Sequence, residues 1–262
     1  MKFKLCFLFS ILTLTIYGQD IKTCSRKLKE TFEKIEFYTE QRGKNEFAYD
    51  SITKSNEDFE KLLLDCTASV PETLTLKFKD LTESGLEIST SKNGIFRIYS
   101  WDTETGGTMR SFRNIFQFKS NKKVFSQKLL SDVDEYGESS YSYEILDQII
   151  SKKKTFYIVK CISIGSSAVS SHKIKIFSIE NGKLNDNAKL IKTKSGVKNE
   201  LSYDIDFSSS VNQEENSVDR EYAWLKYDMK NKIIIIPLIT EEGKLTKQKI
   251  KYQFKGDYFE KI

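Results

Sequence analysis

Residues 99–114, YSWDTETGGTMRSFRN, hold the side chains of this chain best suited to handling a ligand. Trp101, Asp102, Glu104, Arg110 and Arg113 lie there around the pair Gly106-Gly107. An indole offers an apolar platform, and carboxylates and guanidinium groups offer oriented hydrogen bonds. That set suits a sugar or a peptide. It also admits hydrolysis of a glycan or peptide, with Asp102 or Glu104 as acid or base. A local pair is a weak basis for that chemistry, because glycosidase carboxylates come from separate elements flanking the bond. A hairpin loop with surface charges and a core tryptophan has the same pattern.

Other motifs carry less. In 132–138, DVDEYGE, oxygens fall at the first and third places of a calcium loop and glycine at the sixth. Tyr136 takes the fifth place and Tyr143 the twelfth, where a bidentate Glu is wanted, so the run reads as a solvated acidic turn. The stretch 164–172, IGSSAVSSH, has hydroxyls and the only histidine, His172, but no G-x-S-x-G elbow. No C-x-x-C, H-E-x-x-H, P-loop or G-x-G-x-x-G spacing occurs. No metal site and no cofactor are expected.

The elements that must position these residues change character along the chain. Lys2 and Lys4 precede an apolar run at 5–16, and Tyr17-Gly18-Gln19 closes it. This is the layout of a secretory signal peptide over 1–18. The run is about twelve residues, short of the roughly 20 that a spanning helix needs. Export to the periplasm or exterior follows, and the mature chain is expected to lack a membrane span. Cys6 leaves with the leader. In an oxidising compartment Cys24 and Cys66 are the expected disulfide, and Cys161, in TFYIVKCISI, reads as a buried hydrophobe.

Residues 22–42 have helical periodicity through Leu28, Phe32, Ile35 and Phe37 or Tyr38, ended by Gly43. A second helix is expected over 55–66 with Ser55 as N-cap, and 44–54 as a polar link anchored by Phe47, Tyr49 and Ile52. The helical segment therefore occupies 19–70. From Leu74 the period becomes two, starting with LTLKFKDL at 74–81, and polar turns recur about every ten residues. Residues 71–262 are read as an antiparallel β domain. IIIIP at 233–237 is apolar on both faces and reads as central, with Pro237 at a strand end or bulge. The loop 208–221 is a polar excursion. The fold class is α+β, mainly β: an N-terminal helical hairpin followed by an antiparallel meander. Three loosely repeated units, starting at Asn93, Lys154 and Asn231, leave a degenerate few-bladed propeller as the alternative; their unequal spacing favours the meander.

Removing Lys2 and Lys4 leaves 40 basic against 37 acidic residues, a net charge of +3. Charge so small and scattered does not argue for a nucleic-acid face, and no nucleic-acid partner is expected. The exit Tyr17-Gly18-Gln19, the Lys/Ile/Asn/Tyr-rich composition and the segments GIFRIYSWDTETGGTMRSF and KIKIFSIENGKLN resemble uncharacterised secreted β-rich proteins of Bacteroidota. The resemblance implies export and brings no activity. Three functional readings follow. The first is an exported non-catalytic binding or interaction module whose partner is an envelope or extracellular protein or a glycan. The second is a hydrolase using carboxylates near 102–104. The third is a structural component of an envelope assembly.

Overall fold

The computed structural model describes residues 3–215 and 220–262, with side chains left out at 3–20, 213–215 and Glu221. The expected leader over 1–18 lies outside the residues whose side chains are described, as does part of the 208–221 excursion.

Helix α1 (Phe3–Glu40) and α2 (Ala48–Ser69) pack antiparallel as a hairpin. Cys24 and Cys66 are joined by a disulfide, their Cα atoms 6.1 Å apart. Leu28, Phe32 and Ile35 face Ile52, Phe59 and Leu63, and the Phe32 and Phe59 rings meet at 4.7 Å. The second helix starts seven residues before the expected Ser55. Asn45 turns the chain, its Oδ1 accepting the Phe47 amide at 2.9 Å, and Ala48 and Ile52 already belong to the buried stripe. Ser55 is thus mid-helix, its Oγ donating to Ser51 O at 2.7 Å. Phe47 and Tyr49 are exposed rather than anchoring. Gly43, at φ 74, ends the first helix as expected.

The strand expected over 74–81 does not form. Pro71–Leu74 is a single 3-10 turn and Lys79–Glu83 is the short helix α3. Leu74, Phe78 and Leu81 satisfy helical spacing as well as Leu74, Leu76 and Phe78 satisfy alternation, and a left-handed Phe78 (φ 44) breaks any extended run.

Among the described residues fifteen strands build three sheets. The first joins β1 (Glu87–Thr90), β2 (Phe96–Asp102), β3 (Phe112–Ser120) and β4 (Lys123–Gln127) in chain order. The second comprises β5 (Ser142–Ser151), β6 (Lys154–Ile164), β7 (Val169–Glu180) and β8 (Lys183–Asn185), with β11 (Glu200–Asp206) also paired to β7. The third runs β10 (Gly196–Lys198), β9 (Ile191–Thr193), β15 (Phe259–Lys261), β14 (Leu245–Phe254), β13 (Ile233–Ile239), β12 (Lys226–Asp228). All pairings are antiparallel except β15 with β9. The three repeated units of the sequence supply the core hairpins of the three sheets, one each.

The alternation of side chains explains the stacking. Tyr99, Trp101 and Ile115 of the first sheet face the helices. Phe96, Ile98, Phe116 and Phe118 face Tyr157, Val159, Cys161 and Phe177 of the second sheet. The opposite face of the second sheet, with Phe156, Ile158, Ile174 and Ile176, meets Ile191, Ile234, Ile236 and Phe259 of the third. The result is a layered stack of helices and three sheets, each sheet an antiparallel meander at heart. Ile234 and Ile236 are buried, whereas Ile233 and Ile235 are half-buried on the outer face. Strand β13 lies between β12 and β14, and its register shifts between Pro237 and Ile239.

A single carboxylate ties the three sheets. Asp147 follows a bulge in β5, is buried, and accepts from Lys92 Nζ at 2.7 Å and Tyr227 OH at 3.0 Å. Lys92 belongs to the turn before β2 and Tyr227 to β12.

Candidate functional site

Strands β2 and β3 run antiparallel in a register that pairs Trp101 with Arg113 and Asp102 with Phe112. Alternation puts Trp101 and Arg113 on the helix face and Asp102 on the other, so the five expected residues divide.

Trp101 is a core residue. Its ring meets Phe59 edge-on at 5.0 Å, and its Nε1–H donates to Asn56 Oδ1 at 2.9 Å. Asn56 Nδ2 in turn donates to Ile52 O and Thr103 O. The indole is fully buried, so the open platform expected from sequence is not formed. Arg113 is also buried. It pairs with Glu60 at 3.3 Å and Glu138 at 4.0 Å, and its Nη2 donates to Tyr136 O at 3.3 Å. Glu60 also accepts from Lys128 at 2.8 Å. The role of Arg113 is to join helix α2 to the first sheet.

Asp102, Glu104 and Arg110 remain at the surface. Asp102 Oδ1 accepts the Glu104 amide at 2.9 Å, which turns the chain with Glu104 at φ 57. Its Oδ2 pairs with Arg110 at 3.0 Å. The loop back to β3 is tight: a Cβ on Gly106 would overlap Met109 O, so only glycine fits there. Arg110 N donates to Ile164 O at 2.9 Å, which anchors the loop to the second sheet.

These residues edge a cleft of about 500 Å³. Phe32, Ile35 and Glu36 of α1 form one wall, Gly85 and Glu87 another, and Phe112, Ile162 and Ile164 complete an apolar interior. Glu36, Glu87, Asp102 and Glu104 oppose one guanidinium, Arg110. Burial, and secondarily the nearby Glu144 carboxylate, holds Glu87 above the ordinary glutamate pKa. The cleft is therefore an apolar slot with a negative rim.

Four of the five expected residues line this cleft, and Arg113 lies in a neighbouring one beside Tyr49, Glu57 and Tyr136. Glu36 and Glu87 were not foreseen; a helix surface and a short edge strand gave them no distinguishing pattern. Asn56 and Glu60 were detectable. Each sits on the buried stripe of α2 with Ile52, Phe59 and Leu63, where an apolar residue is the ordinary choice.

No group of three or more His, Cys, Asp or Glu able to hold a metal occurs among the described residues. His172 of β7 is buried and stacks on Tyr203 at 5.3 Å, with Ser170 Oγ 3.1 Å from its Nε2. Burial pushes its pKa down to about 4. Cys161 is buried and free, and burial pushes its thiol up.

Fold and site together define a helix-capped stack of three mostly antiparallel sheets with a carboxylate-rimmed cleft at one end of its strands. No known protein family, curated protein or solved structure matches the chain.

Proposed function

We propose that the protein is an exported, non-catalytic binding module of the cell envelope or exterior, and that the cleft beside Asp102 receives the partner. The lining of that cleft carries the reading. An apolar interior under a rim of four carboxylates and one arginine fits a group that is positive at its tip and apolar along its stem. A lysine or arginine side chain of an extracellular protein has that form. Asp102 has one oxygen on Arg110 and the other on a backbone amide, which favours a positioning role over acid–base work. Export is supported by the apolar run after Lys2 and Lys4, and by the Cys24–Cys66 disulfide, which suits an oxidising compartment.

The test is calorimetric titration with a lysine-bearing peptide and its glutamate-bearing counterpart. The account expects only the basic peptide to bind. Glu87→Gln should weaken it by about fivefold, the order of one exposed charge contact of about 1 kcal/mol. Equal affinity for both peptides, or none for either, would remove the reading. Mass analysis of the protein recovered outside the cytoplasm should give an N-terminus at Gln19; an intact Met1 on a cytosolic product would contradict export.

A further inference from the structure

The far end of the same strands is built differently. Three hairpin turns converge there: β3 to β4 through Asn121-Lys122, β5 to β6 through Lys152-Lys153, and β7 to β8 through Asn181-Gly182. Each is a two-residue connection with positive φ at both central positions, from 48° at Lys152 to 80° at Gly182. Such turns favour Asn-Gly. Three of their six central positions are instead lysine, a residue with no conformational reason to be there.

The turns enclose a recess of about 540 Å³. Lys119, Lys153 and Lys154 line it, and Lys122, Lys123, Lys152 and Lys183 lie in or next to the same turns. Its one lining carboxylate, Glu180, is already engaged: it accepts from Ser178 Oγ at 2.8 Å and Asn185 Nδ2 at 3.4 Å, and pairs with Lys154 at 3.5 Å. Those contacts, the Ser178 bond first, hold Glu180 below the usual glutamate pKa. Among the described residues, Lys119, Lys122, Lys123, Lys153 and Lys183 make no ion pair. Beside the ammonium groups the lining offers the amides of Asn121 and Asn181 and the hydroxyls of Ser120 and Thr155.

We propose that this recess is a second binding site, for an anionic polysaccharide. Several unneutralised lysines around one hollow attract a chain of repeated negative charges. The amides and hydroxyls between them match the hydroxyl groups that a sugar chain carries between its acidic groups. A phospholipid surface fits less well, because the site is concave and its apolar lining residues, Ile95, Tyr157 and Ile179, are not exposed. The proposal does not depend on the cleft at the other end: the two sites share strands but no lining residue.

The test measures retention of the purified chain on immobilised polygalacturonate, with neutral dextran as the blank. Expected is binding to the uronate polymer that falls about tenfold or more as salt is raised through the physiological range. Lys152→Asn with Lys153→Gly restores the preferred turn sequence while removing two charges. It should lower affinity about tenfold with an unchanged or raised melting temperature, which separates lost binding from lost folding. Lys247→Gln with Lys251→Gln removes the same charge from the exposed third sheet and should leave retention unchanged. The proposal is overturned if both double variants weaken binding equally, if dextran binds as well, or if vesicles of phosphatidylcholine and phosphatidylglycerol bind more tightly than the polymer. It is overturned too if inorganic phosphate at matched charge displaces the chain as readily as soluble polygalacturonate does.

Discussion

The two ends of β2, β3 and β6 make an instructive pair. Strand β2 leaves Ile95 at the lysine recess and delivers Asp102 to the carboxylate cleft; β6 begins with Lys154 at the first and ends with Ile164 at the second. About 20 Å of strand separates them. At the cleft end the connections are long, and a helix, an edge strand and a nine-residue loop assemble the walls. At the recess end three of the connections are two residues each, and those turns supply most of the lining. Side chains at the cleft end are therefore held by tertiary contacts, whereas those at the recess are set by local backbone geometry. Mutations should separate the two ends accordingly.

The largest expected effect breaks the cleft end. Trp101→Ala removes a buried indole, its Phe59 contact and its bond to Asn56, and should cost about 3–5 kcal/mol in urea unfolding. The hairpin turns at the other end should keep their amide protection until global unfolding. A cost under about 1 kcal/mol would mean that the indole is not packed as described.

Arg113→Ala comes next. It leaves Glu60 with Lys128 alone and Glu138 without a guanidinium partner and should cost about 3 kcal/mol, while Arg113→Met, which keeps the stem, should cost less. Equal losses would place the effect in the lost charge rather than in the packing of the stem.

A pH titration sharpens the same contrast, because His172 pairs with Ile162 toward the cleft end of β7. Its folded pKa, about 4, lies below the unfolded value of 6.5, so the unfolded chain takes up the proton first. Stability from this group is complete above pH 6.5 and is lost as pH falls toward about 4. The loss should approach about 3 kcal/mol. His172→Gln should flatten the profile in that window; an unchanged slope would assign it to other groups.

The smallest effect belongs to the recess. Lys152→Asn with Lys153→Gly relieves two left-handed lysines and should raise stability by about 0.5–1 kcal/mol. A decrease would mean that the exposed contacts of Lys152 with Asp257 and Tyr258 outweigh the turn preference.

What the sequence disclosed follows the same division. Alternating strands and their two-residue turns were legible because period and turn chemistry are local, and IIIIP marked both a strand flanked on each side and its irregularity at Pro237. Cys24 and Cys66 were legible from their places on two expected helices. The N-terminal half of α2 was not, because Asn45, Ala48 and Ile52 signal a helix only when the stripe is followed through to Cys66. Nor was the fate of 74–81, where two periodicities fit the same apolar residues. Part of the segment 99–114 lines the cleft, but strand alternation sends Trp101 and Arg113 to one face and Asp102 to the other. No local pattern announces which face will be open. The lysine recess was missed for the opposite reason: each turn looked ordinary, and only the stacking of two sheets brings the three together.

Under both proposals, opposite ends of one set of strands bind ligands of opposite charge. Hydrogen exchange of the purified chain with a lysine-bearing peptide, and separately with polygalacturonate, tests it most directly. The peptide should protect amides at 102–112 and at Glu87 and leave 119–123 and 151–155 unchanged, and the polymer should do the reverse. Protection of the same amides by both ligands, or of neither end by either, would contradict it.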